Sequence, residues 1–377
     1  MKKLLYILFL ALAAVMPCRV HASGHDGDSG KISPKDIIFE HLGDGYGWEV
    51  PFNHHKRIPL PVIVFDKESG LHVFSSAHVT DGGTYRDGNA EFRIAPKDSP
   101  YHGIVVQIID GKEYKPWDIS ITKNVCAILI AVILVCGLMF WLARFHKNHP
   151  YKAPRKGLGL IEILVTFIYD GVIKATLGKD ARRFAPYLLA VFFFILFMNL
   201  LGLIVVFPGG ANLTGNIAVT LVLAVLTFLV TNIWGTRGYW KEIFWPDVPL
   251  WLKFPLPIMP MIEIFGMFTK PAALTVRLFA NMMGGHMIVI VLTLLIFIFA
   301  SMNMVAGSAT TVVSVAFSIF MLLIDVLVSF IQAYVFTMLS TIFIGLAQHH
   351  EEHEKEHKEA VDRTQGGAKA APAPAKA

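Results

Sequence analysis

The sequence predicts an all-α polytopic membrane protein with about five membrane helices, the last two long and strongly tilted, and a small exported β-rich N-terminal domain. The 377 residues are 54% hydrophobic and only 16% charged, with a mean hydropathy of +0.55. A soluble domain carries about 25% charged residues. Apart from a short run at the N-terminus, the long apolar runs follow residue 120, and a polar stretch with strand-like patterns precedes them. An ordinary soluble enzyme and a disordered regulator are therefore excluded.

The first residues, 1–22, are expected to form a signal peptide. Two lysines precede an apolar stretch over residues 4–16 that is too short to span a bilayer, and the small Ala22 follows at a plausible cleavage point. The alternative is an uncleaved anchor, because Arg19 and Val20 obscure the cleavage site.

Residues 23–120 are expected to form the exported β-rich domain. The runs LPVIVF, GLHVFSS and GIVVQIID are rich in β-branched and aromatic residues, and Gly, Asp and Pro separate them. The DKESG stretch between the first two runs predicts a hairpin connection. The histidines of this domain fit no common zinc spacing, so solvated surface histidines are favoured over a metal site. These histidines are His25, His41, His54, His55, His72, His78 and His102.

The membrane domain is expected over residues 121–348, and its first span runs from Val125 to Phe145. A cluster of basic residues and histidines follows this span directly. It comprises Arg144, His146, Lys147, His149, Lys152, Arg155 and Lys156. The positive-inside rule places this cluster in the cytoplasm and the β-rich domain outside, in the periplasm, which agrees with the signal peptide.

The next segments alternate between the membrane surface and its interior. Residues 157–180 mix apolar residues with Glu162, Asp170 and Lys174 and predict an amphipathic helix on the cytoplasmic surface rather than a span. The second span is expected at 186–207 and the third at 216–234, joined by the uncharged connector PGGANLTG on the outside. Basic residues after the third span return the chain to the inside. They are Arg237, Lys241 and Lys253.

Two long apolar segments complete the membrane domain, at about 260–300 and 309–346. The prolines of FPLPIMP are expected to break the backbone before the first of them, and the uncharged SMNMVAGSA joins the two. Each segment exceeds the roughly 20 residues that a perpendicular helix needs, so strong tilt or a kink is expected. The tail at 349–377 is charged and then of low complexity, and it is expected in the cytoplasm.

Ionisable residues inside a span are costly and mark ion or substrate paths by default. The last two segments carry Arg277, His286, Asp325 and Gln332, with Glu263 near the start of the fourth span. Because the two segments are antiparallel, a residue of one segment and a residue of the other lie at the same depth when the sum of their two numbers has one constant value. Arg277 and Gln332 should therefore share a level near the middle of the membrane. His286 and Asp325 should share another about 10–14 Å toward the outside, with Glu263 about 21 Å toward the cytoplasm.

Two interpretations stay open for these residues. Arg277 is either a structural cation satisfied by carbonyl groups and Gln332, or it faces a carboxylate on another subunit. Arginine stays charged at physiological pH, so Arg277 can force a carboxylic acid to release its proton but cannot carry the proton itself. His286 and Asp325 either form a buried ion pair or pass protons between them. The glycines of NMMGG, residues 281–285, allow close approach of a neighbouring helix.

The run IEIFGMFTKPAALTVRLFANMMGGHMIV, together with IQAYVFTMLSTIFIGLA, resembles the a subunit of F-type ATP synthases. FFFILFMNLLGL and WDISITKN are similar to the same family, and the similarity covers roughly residues 115–350. The RLFANMMGG block followed by a glutamine-bearing last helix is highly specific. The long exported N-terminal region departs from the short N-termini typical of this family.

The resemblance implies a proton-translocation role for Arg277, Gln332, Asn281, Glu263, His286 and Asp325. It implies that Arg277 faces the proton-binding carboxylate of the rotating c-ring, with Gln332 and Asn281 as companions and Glu263 on the cytoplasmic side. His286 and Asp325 occupy positions where many bacterial members carry glutamate and histidine, so the acid and the base have exchanged places.

These observations together predict a non-catalytic, proton-translocating stator subunit of the membrane sector, with two half-channels separated by Arg277. The expected partners are the c-ring, subunit b of the peripheral stalk, the remaining ATP synthase subunits and the lipid bilayer, without nucleic acid. The expected location is the cell inner (plasma) membrane. No phosphate-binding loop is present, and neither a cofactor nor a metal is expected.

Two alternatives belong to other classes. An autonomous ion transporter or channel would need its own substrate site and paired repeats, which the sequence does not show. A metal-binding function could rest on His349, His353 and His357, which share one face of a helix. The interleaved glutamates favour a solvated helix end instead.

Overall fold

The structure is a computed structural model that describes residues 44–50, 53–66, 70–80, 83–88, 90–96, 99–101, 103–109, 112–154, 157–204, 213–244, 258–302 and 304–368. Within these ranges, nine strands are followed by helices. The strands are β1 Gly47–Val50, β2 Asn53–Pro59, β3 Pro61–Asp66, β4 Gly70–Ser75, β5 Thr84–Asp87, β6 Ala90–Ile94, β7 Val105–Ile109, β8 Lys112–Tyr114 and β9 Trp117–Asp118. The expected signal peptide and the first part of the exported domain lie outside the described residues.

The helices follow in chain order. They are α1 Lys123–Asn148, α2 Gly157–Ile168, α3 Lys174–Leu177, α4 Ala181–Leu203, α5 Ile217–Ile233, α6 Arg237–Phe244, α7 Ile258–Met302 and α8 Met304–Ala368. A π-helical turn at Tyr169–Ile173 joins α2 to α3, and a 3-10 turn at Gly178–Asp180 joins α3 to α4.

The strands form three antiparallel sheets, so the predicted β-rich region is confirmed. β1 pairs with β2, β3 lies between β4 and β9, and β5 to β8 form a four-stranded meander. The predicted hairpin joins β3 and β4, with Asp66 opposite Gly70. Gly70 has a φ of 89°, a backbone conformation that favours glycine at the end of a turn.

The core of this region follows from the alternation of side chains along its strands. In β3, Val62 and Val64 are fully buried, and Phe92 from β6 packs in the same cluster. The opposite face of the β3 sheet leaves Phe65 and Leu71 exposed beside each other. A small sheet with one solvated face is common among antiparallel sheets.

One of the expected surface histidines is buried. The His72 residue is 7% exposed, its Nδ1 lies 2.8 Å from a carboxylate oxygen of Asp87, and its ring packs against Phe92. The prediction of a solvated surface histidine is wrong at this position. His72 alternates with Leu71 and Val73 along β4, so the pleat of the strand turns it toward the core.

Two polar networks stabilise the strand region. The Tyr46 hydroxyl donates a hydrogen bond to the Asp118 carboxylate and accepts one from the Val105 amide at 3.2 Å. Burial, and then the hydrogen bond to Asp118, raise the pKa of Tyr46. In the second network Arg93 and Ser99 both donate to the Glu113 carboxylate. The bond from Ser99, and then that from Arg93, lower the pKa of Glu113.

The strand region continues into α1 without a flexible connection. The Ile119 amide donates to the Ile63 carbonyl of β3, and the Ile121 amide donates to the Pro61 carbonyl at the start of the same strand. The chain therefore stays hydrogen-bonded to the sheet until two residues before the helix begins. The Thr122 side chain then caps α1 by accepting from the Val125 amide. The helix contains the predicted first span and extends it by a few residues at each end.

Residues 157–180 are helical, as the amphipathic pattern predicts, but the helix is not regular. Its π turn and 3-10 turn interrupt the α-helical geometry, and Gly178 has a φ of 53°. The expected start of the second span at Pro186 is wrong, because α4 begins at Ala181 and contains this proline in its second turn. The third predicted span corresponds to α5, which Asn216 caps by accepting from the Ala218 amide.

Helix α6 has no counterpart among the sequence predictions. It follows α5 directly, and the Thr236 backbone before it donates to the Ala347 carbonyl of α8 at 3.1 Å. The Thr236 hydroxyl donates to the same carbonyl at 3.0 Å, and the Gln348 side chain of α8 donates to the carbonyl of Trp234, so three hydrogen bonds join this turn to the last helix. The eight residues of α6 are too few and too polar for the apolar periodicity that identified the spans.

The two last helices are antiparallel, as predicted. Gly285 of α7 meets Asp325 of α8, and Lys270 lies over the ring of Phe343, so residue numbers increase in opposite directions along the contact. Helix α7 begins at Ile258, within the FPLPIMP run; Pro260 lies in its first turn, where proline is tolerated, and the two earlier prolines lie outside the described residues. The SMNMVAGSA run, expected to join the two apolar segments, is helical up to Met302 and again from Met304.

Four helical segments in the described part of the chain are long and apolar enough to cross a membrane. They are Lys123–Asn148, Gly157–Leu203, Met261–Leu292 and Thr311–Gln348. The apolar helix Ile217–Ile233 is shorter, with 17 residues and a length of about 26 Å at 1.5 Å per residue. The chain is therefore polytopic, and a fifth span through α5 remains a prediction.

Candidate functional site

A cavity lies between α4, α7 and α8 and collects most of the polar residues that the sequence singled out. It is narrow, with a volume of about 10 Å³, enough for about one water molecule, and it is partly open to the exterior. Its polar lining comprises Asn199, Asn281, His286, Asp325, Ser329 and Gln332. Gln332, expected at one level, and His286 with Asp325, expected at the other, line the same cavity.

Asp325 is held against a glycine of the facing helix. A Cβ atom added to Gly285 would lie 2.8 Å from the Asp325 Oδ1 atom and 3.1 Å from its Cγ atom. The close approach predicted for the NMMGG glycines is therefore confirmed at Gly285. At Gly284 an added Cβ would meet nothing within 4 Å, so only one of the two glycines is needed for this contact.

His286 lines the same cavity without pairing with Asp325. Its Nε2 atom is buried and has no hydrogen-bond partner among the described residues. The ion pairs formed by described residues within 4.0 Å do not include His286 with Asp325. A buried imidazole nitrogen without a partner is unusual, since buried polar atoms are normally hydrogen-bonded. The cavity thus brings together a carboxylate and an imidazole whose Nε2 atom has no partner among the described residues.

Asn199 of α4 completes the cavity, and the sequence analysis did not select it. Its Oδ1 atom accepts a hydrogen bond of 2.8 Å from the hydroxyl of Thr214, and both residues are buried. An asparagine inside an apolar helix is a polar residue at membrane depth, so it could have been selected by the rule that selected His286. Ser329 was missed as well, because its hydroxyl can satisfy itself within the helix by donating to the Asp325 carbonyl at 2.7 Å.

Arg277 lies away from this cavity, on an exposed face of α7. It borders an open groove together with Lys270, Leu339 and Phe343. Gln332 lines the cavity and Arg277 does not, so the two side chains do not share a face, while their common depth stays a prediction. Equal residue sums give equal depth, but they do not fix the rotation of a side chain about the helix axis.

The rotation of Arg277 follows from helix geometry. Nine residues separate Arg277 from His286, which is about 2.5 turns at 3.6 residues per turn and places the two on opposite faces of α7. Lys270 precedes Arg277 by seven residues, and Glu263 precedes Lys270 by seven more, so these three lie close to one line along the helix.

Lys270 is the charged residue of α7 that the sequence analysis missed. Its ammonium group lies 5.4 Å from the centre of the Phe343 ring, within the range of a cation–π contact. It lines both the open groove and a second cavity of about 380 Å³ with Thr231, Asn232 and Tyr239. Lys270 therefore places a second positive charge on α7 midway between Arg277 and Glu263.

The surroundings of Glu263 include Tyr239 of α6. Burial, and then the negative charge of Glu263, raise the pKa of Tyr239. The Tyr239 hydroxyl donates to the Asn232 side chain at 3.4 Å. A partly buried Glu263 thus lies at the same end of the helix hairpin as two uncharged polar groups.

Among the described residues, no group of three or more histidine, cysteine or acidic side chains could hold a metal ion. His349, His353 and His357 fall within α8, and their side chains are outside the described part of the structure. The polar residues of the hairpin are suited to proton movement, since they combine titratable groups with amide and hydroxyl groups inside apolar helices.

The family described as "ATP synthase A chain" matches residues 125–345, which is more than half of the chain. The chain belongs to the ATP synthase A chain family. The resemblance found in RLFANMMGG and the last helix is therefore confirmed. The family match spans the hairpin, the cavity and the groove, so the polar residues described above all lie within it.

Three relatives illustrate the similarity. ATP synthase subunit a of Chloroherpeton thalassium is 44% identical over 247 residues, covering 64% of this chain and 70% of the relative. ATP synthase subunit a 2 of Chlorobaculum tepidum is 44% identical over 262 residues, covering 67% and 70%. ATP synthase subunit a of Myxococcus xanthus is 41% identical over 254 residues, covering 64% and 79%.

A second family, described as a domain of unknown function, matches residues 37–124. It spans the strand region and ends at the start of α1.

The ATP synthase A chain is a multi-pass membrane protein of the proton-translocating membrane sector, is not itself the catalytic subunit, and associates with the remaining subunits of the complex.

Proposed function

We propose that this chain is the stator that provides two proton half-channels to the rotating c-ring of an F-type ATP synthase, with Arg277 between them. One observation carries the proposal. The helix hairpin of α7 and α8 encloses titratable side chains on one face of α7 and exposes a permanent positive charge on the opposite face. Proton conduction and charge separation then belong to different faces of one helix.

The outer half-channel uses His286 and Asp325. Protons from outside reach the cavity, and the imidazole and the carboxylate pass them to a carboxylate of the c-ring. Both groups can exchange protons, and the amide groups of Asn281 and Gln332 can orient the water that links them. The buried His286 Nε2 atom without a partner supports this role, because a committed hydrogen bond would have to break at each transfer.

Arg277 acts at the boundary between the two half-channels. Its guanidinium group keeps its charge at any physiological pH, so it favours the ionised form of a c-ring carboxylate that comes close. It cannot relay the proton itself. Its exposed position on α7 supports contact with a partner more than the alternative of a structural cation satisfied within the chain.

The inner half-channel leads from Arg277 toward Glu263. The proton released at Arg277 leaves on the cytoplasmic side past Glu263, which lies about 21 Å along α7 at 1.5 Å per residue. Each elementary charge that crosses about 100 mV releases about 2.3 kcal/mol, so several protons must cross for each ATP formed. Ring rotation couples the two flows.

The same proposal includes the arrangement in the membrane. The chain crosses the inner membrane five times, with α5 as the short span, the last two helices tilted, the N-terminal domain in the periplasm and the C-terminus in the cytoplasm. Basic residues after α1 and within α6 support this orientation under the positive-inside rule. Residues 1–22 are a signal peptide, and subunit b of the peripheral stalk is a further partner.

The test is ATP-driven acidification of inverted membrane vesicles carrying Arg277→Ala. We expect pumping to be lost while the complex still assembles, because the c-ring carboxylate then keeps its proton. Arg237→Ala is the matched control, since it removes an exposed arginine outside the long spans. Retained pumping by Arg277→Ala would overturn the proposal. Proton conduction by the purified chain alone in vesicles would instead favour an autonomous channel.

A further inference from the structure

We propose that the strand region is a structural part of the outer proton path, and that Trp48 is a positioning residue for Asn199 in the cavity wall. The inference rests on the proposed function and extends it to residues 44–122. It gives the strand region a task within proton uptake. Three contacts, each made by described residues, lead from the strands to the cavity.

The first contact is the burial of Trp48 of β1 in the membrane domain. Its residue exposure is 2%, and it packs in one cluster with Ala127 and Ala131 of α1. The same cluster contains Met198 and Leu201 of α4, and Leu213 before α5. Trp48 therefore bridges three separate parts of the membrane domain at the end where α1 begins.

The second contact joins this cluster to the cavity. Asn199 lies between Met198 and Leu201 in sequence, and Thr214 follows Leu213. Both members of the Asn199–Thr214 hydrogen bond are thus immediate sequence neighbours of residues that belong to the same buried cluster as Trp48. Because buried side chains are closely packed, a void at Trp48 would let both backbone segments shift.

The third contact fixes the strand region relative to α1. The Gly45 carbonyl accepts a hydrogen bond of 2.9 Å from the Lys123 amide, and the Asp44 carboxylate accepts one of 3.2 Å from the Asn124 amide. These bonds satisfy amides at the start of α1 that have no partner within the helix. Since Trp48 follows Asp44 by four residues, the tether holds its indole ring on the membrane domain.

The chemical consequence concerns the Asn199 amide. Its oxygen accepts the hydrogen bond from Thr214, and the residue lines the cavity with His286 and Asp325, so the amide nitrogen is the group that can donate there. A donor at this position can hold a carboxylate or a water molecule in line with the titratable pair. If the Asn199–Thr214 pair shifts, the Asn199 amide moves away from His286 and Asp325, and proton uptake slows.

The experiment compares two tryptophans of the same region in the assembled complex. Trp48→Ala removes the buried ring, and Trp117→Ala removes a residue that is 70% exposed. Trp48→Phe keeps an aromatic ring in the cluster and should restore function. ATP synthesis is measured in inverted vesicles, in which the lumen corresponds to the outside of the cell. The luminal pH is varied, and a potassium diffusion potential keeps the total driving force constant.

We expect Trp48→Ala to slow synthesis per assembled complex about fivefold at a luminal pH of about 8, and less than about twofold at a luminal pH of about 5.5. Scarce protons make uptake limiting, so a damaged outer path matters most at high pH. Trp117→Ala and Trp48→Phe should follow the wild-type profile. A loss equal at every pH, or no loss, would overturn the inference, because a merely structural role changes only the amount of complex.

A second measurement covers the case in which Trp48→Ala fails to assemble. Met198→Ala opens the same cluster from the membrane side, and Thr214→Val removes the hydrogen bond to Asn199. If all these changes act through Asn199, the double variant Met198→Ala with Thr214→Val should be no slower than the slower single variant. Multiplying effects would contradict the inference. Arg277→Ala is not involved, so the proposed function can stand if this inference fails.

Discussion

The two faces of α7 differ in how they hold charge. The face toward α4 and α8 carries His286 beside an enclosed cavity that also contains Asp325. The other face carries Arg277, Lys270 and Glu263 along an open line with an exposed groove. The titratable His286 and Asp325 line the cavity, whereas the permanently charged Arg277 borders an open groove. Under the proposed function, the two faces of one helix have different tasks, proton uptake at the cavity and separation of the two paths at Arg277.

The largest effect should come from removing the carboxylate of the enclosed face. Asp325→Asn keeps the size of the side chain but cannot exchange protons, so we expect ATP-driven pumping to fall by about a hundredfold or more. Acidification of inverted vesicles measures this loss. Ser340→Ala is the control on the same helix, since Ser340 lies outside the cavity lining and its hydroxyl donates to the Phe336 carbonyl at 2.8 Å. A similar loss in both variants would contradict the division between the faces.

A smaller but more specific effect is expected from the glycine pair. Gly285→Ala places a methyl group against the Asp325 carboxylate, so the carboxylate must move and pumping should fall about tenfold, since a displacement near 1 Å in such a site is costly. Gly284→Ala adds the same methyl group where the chain leaves open space. Alanine favours a helix more than glycine does, so loss of helix stability cannot explain the difference.

The outcome that would contradict this prediction is an equal loss in the two glycine variants at equal levels of assembled complex. Pumping rates normalised to the amount of complex give the comparison. A larger loss of pumping in Gly284→Ala would show that pumping depends more on the open face of α7 than on the face at the cavity.

Lys270 tests the open face with a modest effect. Its contact with Phe343 is worth about 0.5–1 kcal/mol at an exposed site, so Lys270→Gln should lower the thermal stability of the purified chain slightly. Phe343→Leu should cause a similar loss, and the double variant should lose little more than either single variant. Additive losses would show that the two side chains are not coupled.

The smallest effect concerns acid experiments on the strand region. Because Ser99 and Arg93 lower the pKa of Glu113 in the folded state, its stabilising effect is complete above the unfolded-state pKa. That stabilisation disappears as the pH falls through the folded-state value. Glu113→Gln should therefore flatten the acid dependence of protease resistance in β6 to β8. An unchanged dependence of protease resistance on acid pH would contradict the stabilising role of Glu113.

Sequence patterns predicted depth along the hairpin better than rotation about it. The apolar runs gave the long helices, and the residue sums placed His286 opposite Asp325, since a helix rises by a constant amount per residue. The same sums gave Arg277 and Gln332 one depth but could not show that Gln332 lines the cavity while Arg277 borders the groove. The half-turn offset between Arg277 and His286 was present in the numbering and could have indicated this difference in facing.

Other features depend on contacts that no local pattern contains. The burial of Trp48 needs three helix ends to converge, and the burial of His72 depends on which face of its strand meets the core. Helix α6 is short and polar, and its hydrogen bonds to α8 join residues more than a hundred positions apart. Sequence periodicity reports one element at a time, so it does not reveal such long-range partners.

The Trp48 cluster also constrains the order in which the protein is made. Leu213 follows Trp48 by 165 residues, and a ribosome adds about 5–20 residues per second, so about 8 to 33 s pass before the last member of the cluster exists. During that interval the strand region can fold, but the indole ring has no complete site. The nascent chain must therefore carry an unburied tryptophan until α4 and the segment after it are in place, which makes this junction a late step of biogenesis.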